Sequence, residues 1–149
     1  SPLIDLETFG QAQYNTIINI SGRYLLGLGG RVHLLDAEDD SLKLHLSVHY
    51  MREYEEETTT IINRHHRLNT VVSFAWPIKD NLNINFIGYY QPDLTQLKDF
   101  RVSTEAGINI KIFERFTLKY SMGWFYDQYP PEGIRNIFYT FKNTLIFKI

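Results

Sequence analysis

Five histidines are the residues of this chain that most directly suggest chemistry: His33, His45, His49, His65 and His66. Imidazole rings bind divalent metals and can exchange protons near neutral pH. The alternation of apolar and polar residues around the first four predicts that they share one face of a β-sheet. Simple hairpins place His33 opposite His45. They also place His49 opposite His65, and cross-strand pairs of this kind are close enough to share an ion.

The spacing of these histidines does not provide the compact ligand set of a structural metal site. We therefore predict no metal and no cofactor, and we interpret four of the five as members of a hydrogen-bonded network inside a narrow barrel. Glu105 and Lys119 are expected to form a buried ion pair in the same interior. The predicted network consists of Arg31, His33, His45, Ser47, His49, His65, Arg67, Glu105 and Lys119.

Composition and motifs give no support for catalysis or nucleic-acid binding. The chain has no cysteine, which excludes disulfides, thiol nucleophiles and zinc–thiolate sites. It contains no G-x-S-x-G, no H-E-x-x-H and no glycine-rich phosphate loop. A net charge of -2 provides no general attraction for nucleic acid. We predict that the protein is not an enzyme, and we interpret the acidic run Glu53–Glu57 as solvated loop charge.

The elements that must position these residues are β-strands. The segment "RFTLKYSMGWFYD" (Arg115–Asp127) alternates strictly between apolar and polar positions, which predicts a strand with one apolar face. Similar runs recur between turn-forming clusters, and several reach the ~9–11 residues that a tilted membrane-spanning strand requires. The predicted strands are Leu6–Ile17, Arg23–Leu35, Leu42–Glu53, Ile61–Trp76, Leu82–Gln91, Phe100–Ile112, Arg115–Asp127 and Ile137–Ile149.

The connections between the predicted strands alternate between short and long, apart from a short first turn. Short turns on one rim and longer loops on the other are typical of outer-membrane barrels. Both termini are then expected at the short-turn rim, on the periplasmic side. The short turns are Asp36–Ser41, Pro77–Asn81 and Phe113–Glu114, and the long loops are Tyr54–Thr60, Pro92–Asp99 and Gln128–Asn136.

The apolar face carries aromatic residues at its two ends and aliphatic residues between them. Bilayer interfaces select this arrangement, because Tyr and Trp rings favour the level of the lipid headgroups. The opposite face carries glycines and serines, which suit a crowded barrel interior. In a soluble sandwich or a lipocalin-like cup the apolar face would form the core instead. The predicted aromatic girdle contains Tyr24, Tyr50, Trp76, Tyr90, Trp124 and Tyr126.

Several segments resemble a known family. These are "GRYLLGLGGRVHLLD" (Gly22–Asp36), "HYMREYEEE" (His49–Glu57), "YYQP" (Tyr89–Pro92) and "YDQYPPEG" (Tyr126–Gly133). Together they are similar to domain of unknown function 481, a family of salt-stress-induced outer-membrane β-barrel proteins of Gram-negative bacteria. The resemblance implies an outer-membrane barrel and implies no established activity. Family members are typically longer, with additional N-terminal strands.

We therefore expect residues 1–149 to form one domain, an all-β, antiparallel up-and-down transmembrane β-barrel. About eight strands belong to this chain, and they form either a complete barrel or part of a larger one. The expected role is structural, in envelope stress or as an accessory subunit, in the bacterial outer membrane. Expected partners are membrane lipid, lipopolysaccharide and another outer-membrane protein. Two alternatives stay open: a small pore that favours anions, and a soluble cup that binds an apolar ligand.

Overall fold

The chain forms eight β-strands that pair in sequence order in one antiparallel sheet. The computed structural model describes residues 4–36 and 42–147, and no α-helix occurs within these ranges. Accordingly, no helix there is both long and apolar enough to cross a bilayer. The strands are β1 (Ile4–Asn15), β2 (Ile20–Asp36), β3 (Lys43–Glu57), β4 (Ile62–Lys79), β5 (Leu82–Pro92), β6 (Phe100–Phe113), β7 (Phe116–Asp127) and β8 (Ile137–Phe147).

The eight-stranded, up-and-down antiparallel architecture predicted from the alternating pattern is confirmed. The main difference is the hairpin between β3 and β4. There β3 continues through the acidic run to Glu57, so the connection is shorter than the predicted loop Tyr54–Thr60. Most of the predicted Asp36–Ser41 turn and the last two residues of the predicted eighth strand lie outside the described residues.

The two rims of the sheet differ in their connections. The short-turn rim has two-residue links between β4 and β5 and between β6 and β7, and there β1 begins and β8 ends. The long-loop rim has the loops of residues 93–99 and 128–136. At this rim the first turn is a short 3₁₀ segment, Thr16–Ile18. It is capped by Asn15 and is followed by Asn19 in the left-handed region at φ 57°.

The sheet is strongly curled. Arg101 on β6 reaches Glu53 on β3, although two strands of the hydrogen-bonded ladder lie between them. At the long-loop rim, the Asn19 side-chain amide donates to the backbone carbonyl of Glu132 at 3.1 Å, which joins the first turn to the last loop. Within the described part of the chain no ladder connects β8 back to β1. The result is a curled sheet with a seam between its first and last strands.

The apolar face of the sheet points outward and the polar face points into the curl. Among the residues that the structure describes, four hydrophobic side chains are buried, against twelve polar or charged ones. On the outer face, Leu26 is 67% exposed and Phe141 is 72% exposed, whereas inward-facing Arg67 and Glu53 are each 1% exposed. In most soluble proteins the apolar side chains are buried and the charged ones are exposed, so the distribution here is reversed. Charged side chains are almost never fully buried unless they are paired.

Candidate functional site in the sheet interior

A group of buried charged side chains occupies the interior near the long-loop rim. The strands bring most of them together because their inward-facing positions lie at similar heights on β2, β3, β4, β6 and β7, and one more comes from the loop before β6. All of them are buried in the described structure. We call this group the ionic cluster, and it consists of Arg23, Glu53, Glu55, Arg67, Asp99, Arg101 and Asp127.

Glu53 lies at the centre of the ionic cluster and contacts three guanidinium groups. Its Oε1 accepts from Arg23 Nε at 2.7 Å and from Arg101 Nη1 at 2.5 Å. Its Oε2 accepts from Arg67 Nε at 2.9 Å. One carboxylate therefore joins side chains from β2, β4 and β6, and it ties together strands that do not pair directly.

The remaining carboxylates occupy the outer positions of the cluster. Arg101 Nε donates to Asp127 Oδ2 at 2.7 Å, and its Nη2 donates to Glu55 Oε2 at 3.3 Å. Both terminal nitrogens of Arg67 donate to Asp99 Oδ1 at 3.2 Å. Each guanidinium thus has more than one anionic partner, as burial of a charge requires. The cluster fills the interior at this height with side chains.

A second group, next to the ionic cluster, has the donor atoms of a potential metal site. His65 Nδ1 lies 2.5 Å from Asp93 Oδ2 and 4.0 Å from Asp99 Oδ2. One donor atom from each of the three residues lies within 4.8 Å of the others. A histidine and two carboxylates could hold a divalent cation together with water. However, Arg67 already neutralises Asp99, and a hydrogen bond between His65 and Asp93 accounts for the geometry. The absence of a metal stays a prediction.

Asp93 is held ionised by the loop that follows β5. Its Oδ1 accepts from the backbone N–H of Thr95 at 2.7 Å and from the hydroxyl of Thr95 at 2.6 Å. Burial alone raises the pKa of Asp93, but these hydrogen bonds and the contact with His65 outweigh it. The net effect is to lower the pKa of Asp93 to about 2.

We predict that this carboxylate makes stability fall in acid. The folded-state pKa lies below the ordinary value of 3.8, so the stabilisation is complete above about pH 4 and is lost as the pH falls towards 2. The difference of nearly two pKa units corresponds to roughly 2 kcal/mol. In denaturant titrations between pH 2 and 6, Asp93→Asn should be less stable than the parent at pH 6 and nearly equal to it at pH 2.

Exposed Asp80, in the turn after β4, provides the matched control for that measurement. Asp80→Asn should leave the acid dependence of stability unchanged. An Asp93→Asn variant that keeps the parent's full loss of stability between pH 4 and 2 would contradict the assignment.

A third polar group lies nearer the short-turn rim, where Asp5 and Glu7 of β1 meet the predicted network. Arg31 Nη2 donates to Glu7 Oε1 at 2.7 Å, and His49 Nε2 lies 2.9 Å from Glu7 Oε2. His33 Nε2 lies 2.7 Å from Asp5 Oδ2. Arg31 also donates to the hydroxyl of Ser47 at 3.3 Å. Four members of the predicted network therefore lie close together, with Asp5 and Glu7 of β1 as their acidic partners. These members are Arg31, His33, Ser47 and His49.

One predicted histidine pair forms and the other does not. His33 lies opposite His45 as predicted, with ring centroids 4.6 Å apart. The pairing of His49 with His65 is wrong, because His49 lies opposite Asn69. Because β3 extends to Glu57, the hairpin turn lies further along the chain than predicted. Every pair of opposed residues between β3 and β4 therefore differs from the prediction. His65 instead lies opposite Glu53, which brings it beside the ionic cluster.

The predicted ion pair between Glu105 and Lys119 is also wrong. Glu105 lies opposite Gly123, and Lys119 lies opposite Asn109. The four-residue offset between Gly123 and Lys119 separates the two charges by roughly 13 Å along the strand. Both side chains are exposed, and no ion pair involving either occurs among the described residues. They face inward in a part of the curl that the ionic cluster does not fill.

Between the ionic cluster and the third polar group lies a cavity of about 330 Å³. Leu25, Met51 and Val71 supply its buried apolar wall, and Glu7 and Arg31 supply charged groups. Phe9 of β1 also lines this space and packs against Gly27 of β2. A Cβ on Gly27 would lie 2.3 Å from the ring of Phe9, so the predicted crowding is present at that position.

The residues of the predicted aromatic girdle lie near the two rims. Tyr24 packs with Tyr54 at a centroid distance of 6.3 Å, and Trp124 stacks with Tyr126 at 6.4 Å, all near the long-loop rim. Tyr50 and Tyr90 lie on the same face, and each is nearly half exposed. Trp76 packs against Phe74 near the opposite rim. The predicted girdle residues thus all lie on the outer face, and Tyr54 and Phe100 extend the belt.

Comparison with family models identifies one family. The model described as "Protein of unknown function, DUF481" matches residues 5–149, nearly the whole chain. The chain belongs to the DUF481 family. Comparisons with curated proteins and with solved structures gave no match.

The residues of this DUF481 chain that the sequence reasoning missed include two buried glutamates. Glu55 and Glu57 were interpreted as solvated loop charge, and the structure places both on the inner face, 2% and 8% exposed. The alternation of Met51, Glu53, Glu55 and Glu57 was the available signal, because it continues the inward parity of β3. Asp93 and Asp99 were missed because they lie in a loop.

Proposed function

We propose that this protein is an outer-membrane β-barrel with a structural or accessory role and without catalytic activity. The single observation that carries the proposal is the inverted distribution of side chains. Large apolar side chains cover the outside of the sheet, and ionised side chains occupy its inside. In water this arrangement would leave a continuous apolar surface unburied, whereas in a bilayer the same surface contacts acyl chains.

Two further features support a bilayer. Aromatic rings lie near both rims of the outer face, at the positions where headgroups would meet the protein. The strands have 11 to 18 residues, enough for the ~9–11 residues that cross a bilayer at a tilt. A soluble cup binding an apolar ligand would require its apolar face inside, which is the opposite of the arrangement found.

A plugged interior fits the structure better than a pore that favours anions. At the height of the ionic cluster, the buried side chains of Arg67, Glu53 and Arg101 bridge the curl. A conducting path would have to break several charge-assisted hydrogen bonds between buried groups. The proposal therefore includes no transport of solutes through this chain.

The seam between β1 and β8 supports an accessory role. Unpaired backbone groups at a sheet edge are costly in hydrocarbon, so these two edges must pair with each other or with another chain. A neighbouring outer-membrane protein is the partner that would cover them in the membrane. The same seam is compatible with a larger barrel to which this chain contributes eight strands.

Membrane fractionation and refolding test the proposal. We expect the protein to stay in the detergent-soluble membrane fraction, and to refold from urea only when detergent or lipid vesicles are present. A refolded barrel should resist SDS at room temperature and migrate differently after boiling. A protein that is soluble and folded without detergent would overturn the proposal. Stepwise conductance of the refolded protein in planar bilayers would favour the pore instead.

A further inference from the structure

The outer face carries two arginines and a histidine near the long-loop rim, among mostly apolar and aromatic residues. Arg52 on β3 lies directly opposite His66 on β4, and Tyr54 lies opposite Arg64 one step closer to the rim. Both arginines are exposed on the outward parity of their strands. We call Arg52, Arg64 and His66 the cationic patch. Directly opposed and diagonal side chains on one sheet face are close enough to share one ligand.

The two arginines of the cationic patch have no anionic partner within the described residues. Neither contributes to the ion pairs of the interior. The guanidinium of Arg64 lies 5.9 Å from the ring centroid of Tyr54, and this cation–π contact leaves its N–H donors available. Glu56 is on the same face, but it lies opposite Ile62 and forms no ion pair with Arg64. Every buried arginine of the ionic cluster, by contrast, contacts at least one carboxylate.

His66 is oriented by a neighbouring tyrosine. The hydroxyl of Tyr50 forms a hydrogen bond with His66 Nδ1, and the two rings lie 5.9 Å apart. When the hydroxyl donates to Nδ1, the remaining ring nitrogen carries the proton and can donate to a ligand. The backbone at His66 is held as well, because its carbonyl accepts from the N–H of Leu94 at 2.7 Å.

Exposed apolar side chains surround the cationic patch. Leu26 lies opposite Arg52 on β2 and is 67% exposed, and Leu94 next to His66 is 46% exposed. Leu68 follows on the same face of β4 in the direction of the sheet centre. A ligand that contacts the cations would therefore contact leucines at the same time, and this favours a molecule with both an anionic group and hydrocarbon chains.

We propose that the cationic patch binds the phosphate of a membrane lipid in the leaflet at the long-loop rim, with its acyl chains on the neighbouring leucines. The inference rests on the membrane location proposed above. Charge-assisted hydrogen bonds from two guanidiniums match the geometry of phosphate oxygens. A cation left without an anion at the edge of the hydrocarbon layer is costly, and a lipid phosphate removes that cost.

Native mass spectrometry of the refolded protein in detergent micelles can test the proposal, with diphosphorylated lipid A as the probe. The variant Arg52→Gln/Arg64→Gln should bind lipid A roughly tenfold or more weakly than the parent, since each basic residue near an anionic lipid contributes about fivefold. The matched control Lys119→Gln/Lys142→Gln removes two exposed cations from the inner face and should bind as the parent does. Lipid A without its phosphates should bind the parent as weakly as it binds the variant.

Three results would overturn the inference. These are equal lipid A binding by the parent and the arginine variant, an equal loss in the lysine control, and full competition by millimolar inorganic phosphate, which would indicate a general anion site. Refolding into vesicles separates this proposal from the previous one. A parent protein that inserts into vesicles but shows no preference for phosphorylated lipid contradicts the lipid site alone, whereas a protein that never inserts contradicts the membrane location.

Discussion

Replacing Glu53 by glutamine is expected to lower the free energy of unfolding by about 3–5 kcal/mol, the usual cost of removing one partner from a buried ion pair. Glutamine has nearly the same shape, so the effect arises from the charge. Arg23, Arg67 and Arg101 each lose their shared partner. Denaturant titration of the refolded protein in detergent micelles would measure the change.

Glu105→Gln is the matched control for that experiment. Glu105 also faces inward from a strand, but it is exposed and forms no ion pair among the residues described. Its substitution should change stability by no more than about 0.5 kcal/mol. If both variants were equally stable, the three guanidiniums would have to be hydrated, and the interior would be open to water at the height of the ionic cluster.

A double-mutant cycle between Arg23 and Glu53 distinguishes a specific contact from general repacking. Their atoms approach to 2.7 Å, so Arg23→Gln and Glu53→Gln should not be additive. The double variant should be more stable than the sum of the single losses predicts, because each substitution alone leaves the other charge buried and underpaired.

The sequence was sufficient to predict the strands and their faces, because alternation is a local property. Leu118 and Lys119 lie on opposite faces of their strand, whichever strand it pairs with. The same reasoning placed Leu26 outward and Arg67 inward, and the structure agrees.

Register could not be predicted in the same way, because it depends on where a hairpin turns. The run Glu53–Glu57 has low intrinsic preference for strands, so a loop was the natural interpretation. In the structure these glutamates stay in β3, where arginines from other strands neutralise Glu53 and Glu55. The partner of His49 then moves from residue 65 to 69, a shift of four. An even shift preserves the faces, so His65 still points inward but meets Glu53.

If the protein lies in a membrane, the substitution with the largest expected effect on insertion is a charged residue on the outer face. Phe141 of β8 is 72% exposed and lies at mid-height of the sheet, opposite Met122. An arginine at the bilayer midplane of a membrane barrel costs about 2–4 kcal/mol, whereas an exposed Phe→Arg change in water costs little. Phe141→Arg should therefore reduce insertion into vesicles severalfold or more. The yield of the SDS-resistant folded form measures this.

Thr144→Arg is the control. It distinguishes a loss of insertion caused by charge in the bilayer from one caused by damage to the fold, because Thr144 is exposed on the opposite face of the same strand. In a barrel its side chain enters the polar interior and insertion proceeds as in the parent. If Phe141→Arg inserted as well as Thr144→Arg, both faces of β8 would be in contact with water. The exposed leucines and tyrosines of the outer face would then require a protein partner instead of lipid, and the seam between β1 and β8 would be the place to look for it.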